Sequence, residues 1–163
     1  MKILKTIVLF QLVGTILFFS GVLSSIVMNS VVGNSIDTDL IYYHRQFISK
    51  ITYILTIPGM WIAIVSTFVQ ILIHKVKVLN NYWWIIISFL MILILINGTF
   101  FLSPLVSSVT NLASEGFTTK NLPELYLPLK NKEDMLGALN FMMALIIFCF
   151  FVFKIEELIK LPK

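Results

Sequence analysis

Residues 82–104 read YWWIIISFLMILILINGTFFLSP, an aromatic cluster followed by an apolar run with no charged side chain. A helix needs roughly 20 predominantly apolar residues to cross the hydrocarbon layer of a bilayer, and this stretch supplies about that many. Three other stretches behave alike. No charge occurs between Lys5 and Asp37, between Lys50 and His74, or between Asp134 and Lys154, and the quoted run sits inside an uncharged segment from Val78 to Ser114. In lipid only helices and closed barrels satisfy the backbone, and continuous apolar runs lack the alternation of a barrel strand. The expectation is an all-α membrane protein: a four-helix transmembrane bundle with spans near 6–31, 51–73, 82–104 and 136–156.

Composition agrees. Hydrophobic residues make up 58% of the 163-residue chain and charged residues only 12%, with a mean hydropathy of +0.95. After four spans the remainder is too short for a soluble domain, so residues 1–163 read as one transmembrane domain. The formal charge of +4 comes from bases scattered around span ends, which is no nucleic-acid footprint. Lys2 and Lys5 before an apolar run imitate a secretory signal, but the run to Val32 exceeds the about 7–15 residues of a signal's apolar core. It reads as a retained first span.

Four spans put both termini on one face. That face carries Lys2, Lys5, Lys75, Lys77, Lys154, Lys160 and Lys163. The other carries Arg45, Lys50, Lys120, Lys130 and Lys132 among six acids. The positive-inside rule then places both termini in the cytoplasm of a multi-pass inner (plasma) membrane protein. Tyr82, Trp83 and Trp84 at one edge, and Tyr42, Tyr43 and Tyr53 at the other, suit interfacial anchors. In the first outer connection, Asp37 or Asp39 can cap an amphipathic lead-in to the second span. The second outer connection, from about Leu105 to Met135, is the longer loop. Pro123 and Pro128 oppose one continuous helix there, and Asn131 with Glu133 and Asp134 suits the start of the fourth helix.

Polar groups within the spans are the candidates for function, because an unpaired amide in hydrocarbon is costly. Gln11 and Gln70 lie toward the cytoplasmic side, and Asn29, Asn97 and Asn140 toward the outer side. Interhelical hydrogen bonding is the competing account of the same residues. The span cores offer no acid, lysine or arginine, which argues against a proton pump or ion-coupled carrier. Gly14, Gly21 and Ser25 form a small-residue stripe that permits close helix packing or lines a groove. Pro58, followed by Gly59, bends the second span and can shape a pocket. Cys149 reads as a small apolar packing residue.

His44 and His74 are 30 residues apart, or ~45 Å on one helix at about 1.5 Å per residue, so they cannot share a metal. His44, in YYHRQF, suits an anionic headgroup or one axial position at the outer edge. His74, in IHKVK, suits a snorkelling interfacial residue. No HExxH, CxxC, Gly-rich phosphate loop or nucleophile elbow is present. No protein-bound metal is expected.

The first span, FQLVGTILFFSGVLSS, and the second, KITYILTIPGMWIAIVSTF, resemble the opening helices of small bacterial membrane proteins around the HemJ-type protoporphyrinogen oxidase and the copper-resistance D-type domain. The resemblance covers about the first 70 residues. It implies a helical scaffold and, for the HemJ-type enzyme, a first-helix histidine as haem ligand. Gln11 stands in that approximate place, and NNYWWIIISF lacks the basic residue expected early in the third helix.

Together these features favour a non-catalytic membrane protein that binds an apolar ligand or a partner helix within its bundle. Gln11, His44, Pro58, Gln70, Asn97 and Asn140 are its candidate binding residues. One alternative is an oxidoreductase-like protein binding haem or quinone, though the lack of paired histidines disfavours haem. Another is an accessory subunit of a transporter or respiratory complex. The expected partners are the lipid bilayer and either further copies of the chain or a membrane subunit.

Overall fold

A computed structural model describes residues 2–32, 35–73 and 82–159. Within them every element is helical. The first helix, α1, is Lys2–Val32. The second, α2, runs Thr38–Ile73, with a π-helical turn Thr52–Thr56 between α-helical segments Thr38–Ile51 and Ile57–Ile73. The third, α3, occupies 82–119, with a π-helical segment Asn97–Leu102 between Tyr82–Ile96 and Ser103–Thr119. The fourth, α4, is Tyr126–Ile159. Among the described residues four helices are long and apolar enough to cross a membrane, as the uncharged runs require.

The helices outrun their expected spans at one end, called distal below because it lies away from the start of α1 and the end of α4. Asp37 caps α2, its carboxylate accepting from the backbone N–H groups of Asp39 (2.9 Å) and Leu40 (3.4 Å). This is the expected amphipathic lead-in. The expected long loop from about Leu105 to Met135 is overturned: α3 continues to Thr119 and only residues 120–125 connect it to α4. Lys120, at φ 59°, ends α3 in the left-handed conformation. Pro123 lies in the turn. Pro128 falls in the first turn of α4, where its missing N–H would have had no intrahelical partner. Asn131 is therefore inside the helix rather than at its start.

Pro58 and Pro104 are also absorbed. In an α-helix a proline clashes with the carbonyl four residues back, here Ile54 or Phe100. Both positions lie in the wider π turns. Across them Ile57 N–H bonds the Thr52 carbonyl, and Ser103 N–H bonds the Gly98 carbonyl. Each helix widens ahead of its proline and continues.

The glycines of the small-residue stripe pack α1 on α2, whereas Ser25 lines a cavity. A Cβ on Gly14 would stand 2.5 Å from Ala63 N and 2.9 Å from the Gly59 oxygen, and one on Gly59 would stand 2.8 Å from the Gly14 oxygen. A Cβ on Gly21 would collide with Thr56. At Gly14 and Gly59 backbone meets backbone, and at Gly21 the Thr56 hydroxyl fills the space, so these points favour glycine. One buried cluster joins all four helices through Phe18, Met60, Ile64, Ile87, Met91, Ile94 and Met143. A second, distal cluster joins Ile41, Val109, Ala113 and Tyr126. Between α1 and α4 the ring of Phe19 packs edge-on against Phe141 and Phe148, each 5.9 Å away. The outward faces are apolar and exposed, as at Leu12, Val65, Ile92 and Ile146. Such a surface suits lipid and not water. Trp84 departs from its anchoring expectation, because it is buried and packs edge-on against Phe150. His74 lies outside the described residues.

Candidate functional site

The distal segment of α2 buries Ile41, His44, Arg45 and Ile48, a helical i, i+3, i+4, i+7 face. Two basic side chains thus point inward. Arg45 is fully buried, and its Nη2 donates to Glu133 Oε2 on α4 at 2.6 Å. Burying either charge alone would be prohibitive, and the pairing makes both tolerable. Nε and Nη1 of Arg45 have no hydrogen-bond partner, nor has either ring nitrogen of His44. His44 is only 3% exposed, so its expected place at the outer surface is corrected to the interior. The charge-free reading of the bundle is corrected as well. Because α2 and α4 begin earlier than the apolar runs suggest, charges assigned to connections lie between helices.

Among the described residues, cavities at three levels follow α1 from the distal end downward. The upper one, about 260 Å³, is lined by His44, Asn29, Tyr126, Lys130 and Asn131 among others. The middle one, about 400 Å³, has Asn29, Ser25, Thr52 and Glu133 toward its distal end and Phe18, Met60, Asn140 and Phe141 below. The lower one, about 80 Å³, lies beside Gln11, Thr15 and Phe18. Asn29 lines both upper and middle cavities, and Phe18 and Met60 line both middle and lower ones. From Gln11 to Val32 the sequence of cavities covers ~31 Å of α1 at about 1.5 Å per residue.

The middle cavity opens sideways between α1 and α4. Its lining includes exposed Ile26 on α1 and exposed Asp134 and Ala138 on α4. A Cβ on Gly137 would meet nothing within 4 Å. The Oδ1 of Asn29 and the hydroxyl of Thr56, both on this cavity, have no hydrogen-bond partner.

The other sequence candidates fall into two braces. Gln70 Nε2 donates to Gln11 Oε1 at 2.6 Å, and Gln11 Nε2 donates to Thr67 Oγ1 at 3.0 Å. Asn97 Nδ2 donates to Asn140 Oδ1 at 2.8 Å and to the Leu136 carbonyl at 3.1 Å. These amides tie α1 to α2 and α3 to α4, which is the interhelical account of them. Asn140 and Ser25 also line the middle cavity, whereas Pro58 acts on it only through the adjoining π turn. Cys149 is exposed rather than packed inside.

The haem implied by the resemblance does not fit at Gln11. Its amide oxygen and nitrogen are both engaged, and the adjoining cavity of about 80 Å³ has room for only a few waters. Sequence reasoning missed Arg45 and Glu133. The spacing of Ile41, His44, Arg45 and Ile48 was the available signal, hidden by assigning that segment to a connection. Comparison of the chain with protein-family models, curated proteins and solved structures finds no match.

Proposed function

We propose that this chain is a multi-pass inner (plasma) membrane protein, with both termini cytoplasmic, that holds an amphipathic ligand laterally between α1 and α4. The observation that carries this reading is the middle cavity of about 400 Å³, largely apolar but with Asn29, Thr52 and Glu133 toward its distal end, and with an exposed flank. Its volume is in the range of ligand pockets, roughly 300–1,000 Å³. The polarity gradient runs along the bundle, as does the polarity of a bilayer leaflet.

The reading is non-catalytic. Glu133 is the one buried acid on the cavity wall among the described residues, and Arg45 engages it. Besides the exposed Asp134, which pairs with Lys130, the remaining polar groups are hydroxyls and amides, which orient a ligand more readily than they move its protons. The excess of lysine beside span ends on the terminal face supports the cytoplasmic placement.

Titration of the detergent-solubilised chain with pyrene-labelled diacylglycerol tests the reading. Saturable binding is expected, weakened several-fold by Gly137→Leu, whose side chain enters the open space beside Gly137. Equal binding by both proteins, with unchanged thermal unfolding, would place any ligand elsewhere.

A further inference from the structure

The upper cavity is chemically unlike the one beneath it. Its walls are rich in hydrogen-bond donors: the imidazole of His44, the ammonium of Lys130, the hydroxyls of Tyr126 and Ser35, and the amides of Asn29 and Asn131. No acidic side chain lines it among the described residues. His44 is buried with neither ring nitrogen bonded, and buried imidazoles are rarely left so. Lys130 gives one of its three N–H groups to Asp134 at 2.8 Å, which leaves two. Charges nearby are already matched, Arg45 by Glu133 and Lys130 by Asp134. The remaining donors of His44 and Lys130 in this chamber therefore stand without acceptors of their own.

We infer that the ligand is a phosphate-headed lipid, its phosphate seated in the upper cavity on His44 and Lys130 and its chain in the cavity below. This deepens the reading of the middle cavity and rests on it. Asn29 lines both cavities and its Oδ1 is unpartnered, so it stands at the junction, able to accept from a hydroxyl of the bound lipid. Charge-assisted donation from Lys130 and an N–H from His44 suit phosphate oxygens, which accept from several donors at once. The depth also agrees. His44 lies seven residues before Ile51, ~10 Å beyond the start of the apolar run at about 1.5 Å per residue, which is headgroup level.

The test uses the full chain in uncharged detergent and three probes: short-chain phosphatidic acid, diacylglycerol with the same chains, and inorganic phosphate. Phosphatidic acid should bind about tenfold or more tighter than diacylglycerol, the worth of a charge-assisted bond. That preference should shrink to about threefold or less in Lys130→Gln and in His44→Ala. Lys130 is partly exposed, so its variant remains informative if the His44 variant fails to fold. Inorganic phosphate should not displace the lipid at matched concentration. Equal affinity for the two lipids would overturn the inference, and if both still weaken in Gly137→Leu, the cavity reading stands without it. Displacement by inorganic phosphate would make the site one for a free anion and also overturn it. Failure of both lipids to bind would remove the inference and the reading together.

Discussion

Arg45 of α2 and Glu133 of α4, 88 residues apart in sequence, meet at 2.6 Å inside the bundle with the arginine fully buried. The pair clasps two helices that otherwise share few contacts at the distal end. Removing one partner strands a buried charge. Arg45→Ala or Glu133→Ala should each cost about 3–5 kcal/mol, whereas Arg45→Met with Glu133→Leu should cost far less than their sum. Reversible unfolding in mixed micelles measures the cycle. Additive losses would show that the two side chains do not interact.

Gly14 and Gly59 make the closest approach of α1 to α2. Gly14→Ala should destabilise by about 1–3 kcal/mol or more, because the obstacle is the backbone of Ala63 and not a flexible side chain. Gly137→Ala, facing open space, should be neutral or slightly stabilising, since alanine favours the helix. Thermal unfolding of the two variants compares them directly. Equal effects would contradict the packing.

The Asn97–Asn140 bond should behave as a membrane hydrogen bond of modest worth. Asn97→Ala leaves the Asn140 oxygen unpaired and is expected to cost about 1–2 kcal/mol, against roughly 0.6 kcal/mol for the coupling in a double-mutant cycle. Loss of lipid binding without loss of stability in Asn97→Ala would instead make Asn97, which is 9% exposed, a ligand contact.

Orientation is open to labelling. With the exposed Cys149 replaced by alanine, a cysteine at Lys120 should react with a membrane-impermeant maleimide in intact spheroplasts. A cysteine at Lys5 should react only after lysis. The reverse pattern would invert the topology, and simultaneous labelling would contradict it.

The four long helices were legible because absence of charge over a bilayer's thickness is a local property of the chain. The glycine contact between α1 and α2 was legible for the same reason, as Gly14, Gly21 and Ser25 repeat on one face. The amides Gln11, Gln70, Asn97 and Asn140 could be named, although their pairing depends on which helices are neighbours. Beyond the cap at Asp37, the distal end was not legible. Pro58 and Pro104 act as breakers only if the helix keeps its α geometry, and π turns remove that condition. Pro128 is harmless in a first turn. Once α2 and α4 extend, residues that read as connection charges become interior ones. His44, Arg45 and Glu133 are the consequence: their burial follows from long-range packing that no local window contains.

Native mass spectrometry of the intact chain, released from mild detergent without added lipid, tests the occupied cleft between α1 and α4. One non-covalent molecule of lipid mass per chain is expected on the native sequence, and its loss is expected in Gly137→Leu at unchanged helicity. A bare chain in both preparations, or the same adduct in both, would contradict ligand binding in that cleft.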